Sequence, residues 1–302
     1  YPEFASKHSD ADGKVIQHTW FYPPHLDHCF LPYLVELCKM GYGELEMHLH
    51  HNHMDPFPDT SQTLREKILR CIEDYGKHDI FSQPDGKPRF AFIHGDWSLD
   101  NSGGETLCGV NDELSILREC GCYADFTFPC LNLSQPAMVN SIYYAIDNPR
   151  APKSYNRGVL VRKGKERPAN ALMMIQGIIG LRYNKSKKYK FAIEYSDLDC
   201  NNPPTPSRVD YWIRNAIQIE GQPNWRFIKL HTHGAPEIRW DVNFGKSAEQ
   251  AFSYLEAKYN DGNKFILHYT SAREMYNIIK AAESGAEGNP GLFRDYEVYP
   301  YF

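Results

Sequence analysis

The sequence lacks several features that would place it in common classes of protein. It has no apolar run of the roughly 20 residues that a membrane-spanning helix needs, and no signal-peptide pattern. Its formal net charge is −5 and its pI is near 6.2, so no basic excess is available to neutralise a phosphate backbone. It also shows no internal repeat of solenoid period. We therefore expect no membrane span and no nucleic-acid partner, and a neutral or polar substrate.

The sequence also lacks any Cys-x-x-Cys pair, although it contains eight cysteines. Several of these cysteines fall at apolar positions of predicted helices, as buried free thiols do. This pattern favours a reducing compartment over a disulfide-bonded scaffold, and we predict a cytoplasmic location. The chain opens at Tyr1 rather than Met, which leaves room for a preceding segment that would carry any targeting signal.

Predicted strands alternate with predicted helices along most of the 302 residues. Such alternation is typical of a parallel sheet, and seven or eight units favour a barrel with its functional residues at the carboxyl ends of the strands. The alternation breaks down over residues 131–204, where short β-like pieces are separated by turn residues. We predict one α/β domain, residues 1–302, which forms a deformed (β/α) barrel with a partly β insertion at about 131–204.

The stretch from Gly43 to Asp55 contains four histidines and several carboxylates. At the two-residue period of a strand, Glu46, His48 and His50 share one face, and apolar side chains occupy the other. A row of imidazole and carboxylate groups suits zinc or a similar first-row ion better than calcium or magnesium. We predict one divalent transition metal, with zinc as the first choice. A polar rim or an accidental His-rich tract would give the same composition.

Further histidines fall at or near the ends of other predicted strands. His94 ends the strand Arg89–His94, and His231 ends the strand Trp225–His231. A barrel would bring both to the same mouth as His48 and His50. His268 lies near the end of another predicted strand, Lys264–Tyr269, but is equally well explained as a structural residue.

Three short motifs resemble those of a known superfamily. Thr19-Trp20-Phe21 resembles a Thr-Phe-Phe-like strand, and Glu44 to His48 resembles the motif Gly-His-Glu-Ile-Gly-x-His-x-x-x-His. Lys229-Leu230-His231 resembles a late strand that ends in Leu-His. Over most of Val15 to Ile278 the chain is thus similar to the polysaccharide deacetylase (NodB-like carbohydrate esterase) superfamily.

The resemblance implies roles for individual residues. His48 matches the first metal histidine. The second would fall on Asn52, so His53 or His50 must take its place. The family's arginine-and-proline motif is replaced here by Ile93 to Trp97. His94, at the end of its predicted strand, is a further candidate metal ligand. His231 matches the catalytic acid.

One element of the superfamily is missing from the sequence. No Asp-Asp pair precedes Val15, although the family uses such a pair as general base and metal ligand. The pair could lie upstream of Tyr1, or Asp10 and Asp12 could replace it, or the standard chemistry could be lost. We take Asp12 as the candidate base.

The reaction implied is metal-assisted removal of an N-acetyl or other acyl group from an amino sugar or a bacterial surface polysaccharide. Trp97 is a candidate platform for a sugar ring, although ordinary loop packing explains it equally well. Asp96 and Asn101 would bind hydroxyl groups, and His233 would orient His231 or bind substrate. One alternative is another multi-histidine metal hydrolase of the phosphoesterase type, and another is a catalytically silent sugar-binding or scaffolding homologue.

Overall fold

A computed structural model of the chain describes residues 1–26, 28–184, 187–233 and 236–302. Residues 185 and 186, within the predicted insertion, lie outside this description. The helices are α1 (Pro2–Ala5), α2 (Leu31–Lys39), α3 (Ser61–Gly76), α4 (Glu113–Glu119), α5 (Pro206–Arg214), α6 (Trp240–Phe244), α7 (Lys246–Tyr259) and α8 (Ala272–Ser284). The strands are β1 (His18–Tyr22), β2 (Gly43–Leu49), β3 (Phe90–His94), β4 (Cys122–Asp125), β5 (Ile142–Ile146), β6 (Gly158–Leu160), β7 (Ala171–Ile175), β8 (Gly180–Tyr183), β9 (Phe191–Glu194), β10 (Ile217–Ile219) and β11 (Gln222–Phe227).

A mostly parallel, seven-stranded sheet forms the centre of the fold. Its strand order is β1-β2-β3-β4-β7-β5-β6. The ladders from β1 through β4 to β7 are parallel, and β5 pairs antiparallel with both β7 and β6. The predicted α/β class is therefore confirmed.

Alternate residues of the strands pack into two different hydrophobic clusters. Phe90 and Phe92 of β3 contact the cluster that contains Leu64 and Ile68 of α3. Ala91, between them, joins the cluster that contains helices α5 and α8. Because side chains alternate between the faces of a strand, helices cover both faces of the sheet.

The predicted barrel is not observed, because the sheet is open. Within the described ranges, no ladder joins β1 to β6. The strand predicted to run to His231 ends at Phe227, and it pairs antiparallel with β10. The strand predicted from Lys264 to Tyr269 does not form, since the Asp261 carboxylate accepts the backbone N–H groups of Asn263, Lys264 and Phe265. These N–H groups are then not available to a sheet ladder.

The segment 131–204 is partly β, as predicted, but it does not lie outside the main sheet. Its strands β5, β6 and β7 extend that sheet next to β4. Strands β8 and β9 form a separate two-stranded sheet. Among the helices that the structure describes, none combines the length and the apolar character needed to cross a membrane.

Glu46 belongs to the predicted row of polar side chains, but its carboxylate is buried in the core. Its Oε1 accepts hydrogen bonds from the hydroxyls of Tyr123 and Tyr301, and its Oε2 accepts one from the backbone N–H of Ala91. Burial raises the pKa of Glu46 to about 8. Glu46 therefore contributes to the core of the fold.

This raised pKa predicts a pH dependence of stability. Between the ordinary pKa of a glutamate and about 8, the folded protein binds more protons at Glu46 than the unfolded chain does. The free energy of unfolding of the wild type should therefore fall, relative to that of Glu46→Gln, as the pH rises through this window. Urea unfolding of both proteins at pH 5 and pH 8 measures the difference. A constant difference would mean that Glu46 is ionised in the folded state.

Candidate metal centres and active site

Several histidines lie at the carboxyl ends of the parallel strands, on two different faces of the sheet. Leu49 of β2 pairs with His94 of β3 in the sheet register, so the two side chains share a face. His51, two residues after Leu49, returns to that same buried face, whereas His48 and His50 point to the other face. The histidines thus separate into an inner and an outer set.

The inner set forms a buried tetrad with a thiol and a carboxylate. His51, His94, Cys108 and Glu113 each offer one ligand atom, and these atoms lie within 4.8 Å of one another. Oε1 of Glu113 is 3.1 Å from Nε2 of His51 and 3.6 Å from Nε2 of His94. Oε2 of Glu113 is 3.6 Å from Sγ of Cys108. All four side chains are buried, and the tetrad could hold a metal ion.

A second layer of contacts orients the tetrad. Nδ1 of His51 is 3.0 Å from Oδ2 of Asp59, and Nζ of Lys67 donates to that oxygen at 2.9 Å. Nδ1 of His94 donates to the backbone carbonyl of Gly95, and the backbone N–H of Asp100 donates to Oε2 of Glu113. Nδ1 of His94 is therefore hydrogen-bonded, Nδ1 of His51 meets Asp59 at ion-pair distance without a hydrogen bond, and both Nε2 atoms face Glu113.

The pKa values of the two imidazoles of the tetrad are shifted in opposite directions. Burial alone would lower the pKa of His51, but the carboxylates of Glu113 and Asp59 outweigh it and raise the pKa well above its usual value. Burial lowers the pKa of His94 to about 4.

A second group, the open triad, consists of Asp197, His231 and His233. Their ligand atoms also converge within 4.8 Å, but His231 is only partly buried and His233 is exposed. Backbone hydrogen bonds join the two segments, from the N–H of Leu198 to His231 and from the N–H of His231 to Ser196. Oδ1 of Asp197 and both ring nitrogens of His231 are buried atoms with no hydrogen-bond partner among the described residues.

The loop after β3 connects the open triad with the outer histidines. The indole of Trp97 meets the His233 ring edge to face, with 5.0 Å between ring centres. Oδ2 of Asp96 lies 3.2 Å from Nδ1 of His50. Both Asp96 and Trp97 have φ of 54°, a left-handed conformation that is strained for a bulky residue such as Trp97. Strain of this kind is concentrated at functional sites.

The outer histidines lie side by side but do not converge on one point. The ring of His50 is 4.7 Å from that of His48 and 5.0 Å from that of His53, and His25 lies 4.8 Å from His53. Nδ1 of His48 donates to the carbonyl of Ile93 at 2.9 Å. The described residues include three groups of converging ligand atoms: the buried tetrad, the open triad and a group of Asp10, Asp12 and His268. The outer histidines belong to none of these groups. Of the predicted metal ligands, His94 therefore lies in the buried tetrad, apart from His48, His50 and His53.

Two further predicted site residues have contacts that engage their side chains elsewhere. Asp12 accepts hydrogen bonds from Arg294 at 3.0 Å and from His268 at 2.8 Å. Arg294 also bonds Glu274 of α8. This contact lies near the amino ends of the strands, away from His231. The amide of Asn101 bonds Gly109 and Asn111 within its own loop.

No family model matches the chain, and no curated protein or solved structure matches it. The resemblance to deacetylases therefore rests on the sequence motifs alone.

Sequence reasoning missed His51, Cys108, Glu113 and Asp197. The signal for His51 is its position in the strand pattern, since it continues the buried phase of Leu49. Cys108 and Glu113 lie five residues apart across the start of α4, and local sequence does not reveal which strand ends they face. Asp197 follows β9, a strand outside the central sheet.

Proposed function

We propose that the protein is a metal-dependent hydrolase that removes an N-acetyl or other acyl group from an amino sugar or a surface polysaccharide. The observation that carries this proposal is the open triad, in which Asp197, His231 and His233 present converging ligand atoms at a partly exposed position. Catalytic zinc sites use three protein ligands and leave one position for water or substrate.

The residues of the open triad fit such an ion. Two imidazoles and one carboxylate are donors that zinc accepts. Oδ1 of Asp197 and the ring nitrogens of His231 are buried polar atoms without a hydrogen-bond partner among the described residues, and a metal ion would supply one. The Arg239 guanidinium lies 3.7 Å from Oδ1 of Asp197 and would share this oxygen with the ion. When bound, the ion would polarise the acyl carbonyl and lower the pKa of a water molecule.

Neighbouring side chains supply the remaining roles. His50, oriented by Asp96 in the manner of a His-carboxylate pair, takes a proton from the attacking water and gives one to the leaving amine. Trp97, which contacts His233, offers an aromatic face for a sugar ring. The products are a carboxylate and the free amine. In this proposal His231 is a metal ligand, whereas the family resemblance assigns it the role of acid.

Acetate release from N-acetylated amino-sugar oligosaccharides tests the proposal. Chelation should abolish the release, and added zinc should restore it. We expect His233→Ala to lower kcat/KM by more than about 100-fold, since the loss of even an outer-shell partner costs about 10- to 100-fold. His78→Ala, a change in the turn after α3, is the matched control and should leave activity unchanged.

The other functions give different results in the same experiments. Binding of the oligosaccharides without acetate release would indicate a silent sugar-binding protein. Hydrolysis of phosphomonoesters in place of amides would indicate the phosphoesterase type. Either outcome would overturn the proposal.

A further inference from the structure

We infer that the buried tetrad of His51, His94, Cys108 and Glu113 is a second, closed zinc site with a structural role. This inference is independent of the proposed hydrolase, because it concerns metal content and folding rather than turnover. Structural zinc sites take four protein ligands in a tetrahedral arrangement and leave no open position. The tetrad offers four ligand atoms, all of them buried.

The orientation of the two histidines is that of metal ligands. A ligating histidine normally donates its other ring N–H to a carboxylate or a backbone carbonyl. Nδ1 of His51 lies 3.0 Å from the Asp59 carboxylate, and Nδ1 of His94 donates to the carbonyl of Gly95. Both Nε2 atoms, and Oε1 of Glu113 between them, lack hydrogen-bond partners among the described residues, as does Nδ1 of His51, which meets Asp59 at ion-pair distance only. The two Nε2 atoms and Oε1 thus face one another, as expected around a cation.

The separations of the ligand atoms also suit zinc. Bonds of 2.0 to 2.3 Å in tetrahedral geometry place neighbouring ligand atoms roughly 3.3 to 3.8 Å apart. Oε1 of Glu113 is 3.1 Å from Nε2 of His51 and 3.6 Å from Nε2 of His94, whereas Sγ of Cys108 lies 3.6 Å from the other carboxylate oxygen, Oε2. All four ligand atoms lie within 4.8 Å of one another. The cluster therefore needs little rearrangement to bind the ion.

The charges of the surrounding groups balance when a divalent ion is present. Thiolate Cys108 and the carboxylates of Glu113 and Asp59 bring three negative charges. Lys67, which donates to Asp59 at 2.9 Å, and the ion bring three positive charges. A metal-free ion pair of His51 with Asp59 and Glu113 would account for those three residues, but it leaves Nε2 of His94 unpaired.

The ligands connect parts of the chain that carry the proposed active site. His51 follows β2, His94 ends β3, and Glu113 begins α4. The loop between His94 and Cys108 includes Asp96 and Trp97, both in left-handed conformations. An ion bound to His94 and Cys108 would fix both ends of this loop and so keep Trp97 in contact with His233.

Cobalt substitution and zinc content test the inference on the intact chain. Cobalt-loaded wild type should show a thiolate-to-cobalt charge-transfer band, because Cys108 is the thiol in the tetrad. Cys108→Ser should lose this band and one equivalent of zinc. Chelation should lower the Tm of the wild type on the order of 10 °C, and much less in Cys108→Ser. Cys122→Ser, at another buried free thiol in β4, is the matched control and should keep both signals.

The open triad is tested separately by His233→Ala, which should keep the charge-transfer band. Failure of the hydrolase proposal would therefore leave this signal intact. Cobalt binding without the band, or an undiminished zinc content in Cys108→Ser, would overturn the inference and leave the metal-free ion pair. If Cys108→Ser does not fold, the cobalt spectrum and the zinc content of the wild type decide.

Discussion

His231→Ala should lose the metal ion of the open triad and lower kcat by a factor of at least about 100. The reason is that Asp197 and His233 alone would leave the ion with two protein ligands, where catalytic sites use three. Oδ1 of Asp197 lies 4.0 Å from Nε2 of His231, close enough for both to contact a single ion. Metal analysis after dialysis, together with steady-state kinetics at several zinc concentrations, measures both effects.

The alternative role of His231 gives a different pair of results. A general acid can be removed without loss of metal, and its loss lowers turnover by roughly 10² to 10⁴. A His231→Ala protein with full metal content and low activity would therefore contradict the ligand role. It would instead support the role of acid that the deacetylase resemblance implies. His78→Ala again serves as the control for the general effect of replacing a histidine.

Arg208→Leu should lower the free energy of unfolding by about 3 to 5 kcal/mol, the usual cost of removing one partner from a buried ion pair. Arg208 and Glu194 are both almost fully buried. Nε and Nη2 of Arg208 donate to the two carboxylate oxygens of Glu194 at 2.8 and 2.6 Å. Without the guanidinium, the charge of Glu194 would remain in the interior, with Arg182 as its remaining ion-pair partner among the described residues.

The same substitution should also weaken metal binding at the open triad. Nη2 of Arg208 donates to the backbone carbonyl of Asp197 at 2.8 Å, so it fixes the segment that carries this ligand. Urea unfolding and zinc titration measure the two effects. Arg214→Leu, an exposed change at the end of the same helix, is the matched control and should shift stability by less than about 0.5 kcal/mol. A loss below about 1 kcal/mol for Arg208→Leu would contradict the importance of the ion pair.

Local sequence signals specify the ends of several helices. Thr60 caps α3, and Ser271 with Glu274 forms a capping box at the start of α8. Thr205 caps α5, with Pro206 as the first helical residue. These features depend on residues three or four positions apart, so the sequence contains all the information that they need.

Non-local pairing was predicted less well. The run Trp225–His231 has the composition of a strand, but it pairs antiparallel with β10 and stops at Phe227. The run Lys264–Tyr269 has a similar composition but forms no strand. Its first two backbone N–H groups donate to the Asp261 carboxylate. Composition indicates that a segment can be extended, but not which partner its backbone will bond.

The sequence by itself determined the α/β class, the burial of free cysteines at apolar positions and the concentration of histidines at the strand ends. It did not determine which histidines share a centre. His51 and His94 are 43 positions apart, and Glu113 is a further 19 positions along the chain. Only the register of β2 with β3 and the return of the chain into α4 bring them within 4.8 Å. A one-residue change of register would move each side chain to the opposite face, so the tertiary structure decides whether a histidine lies in a buried centre or at the open edge.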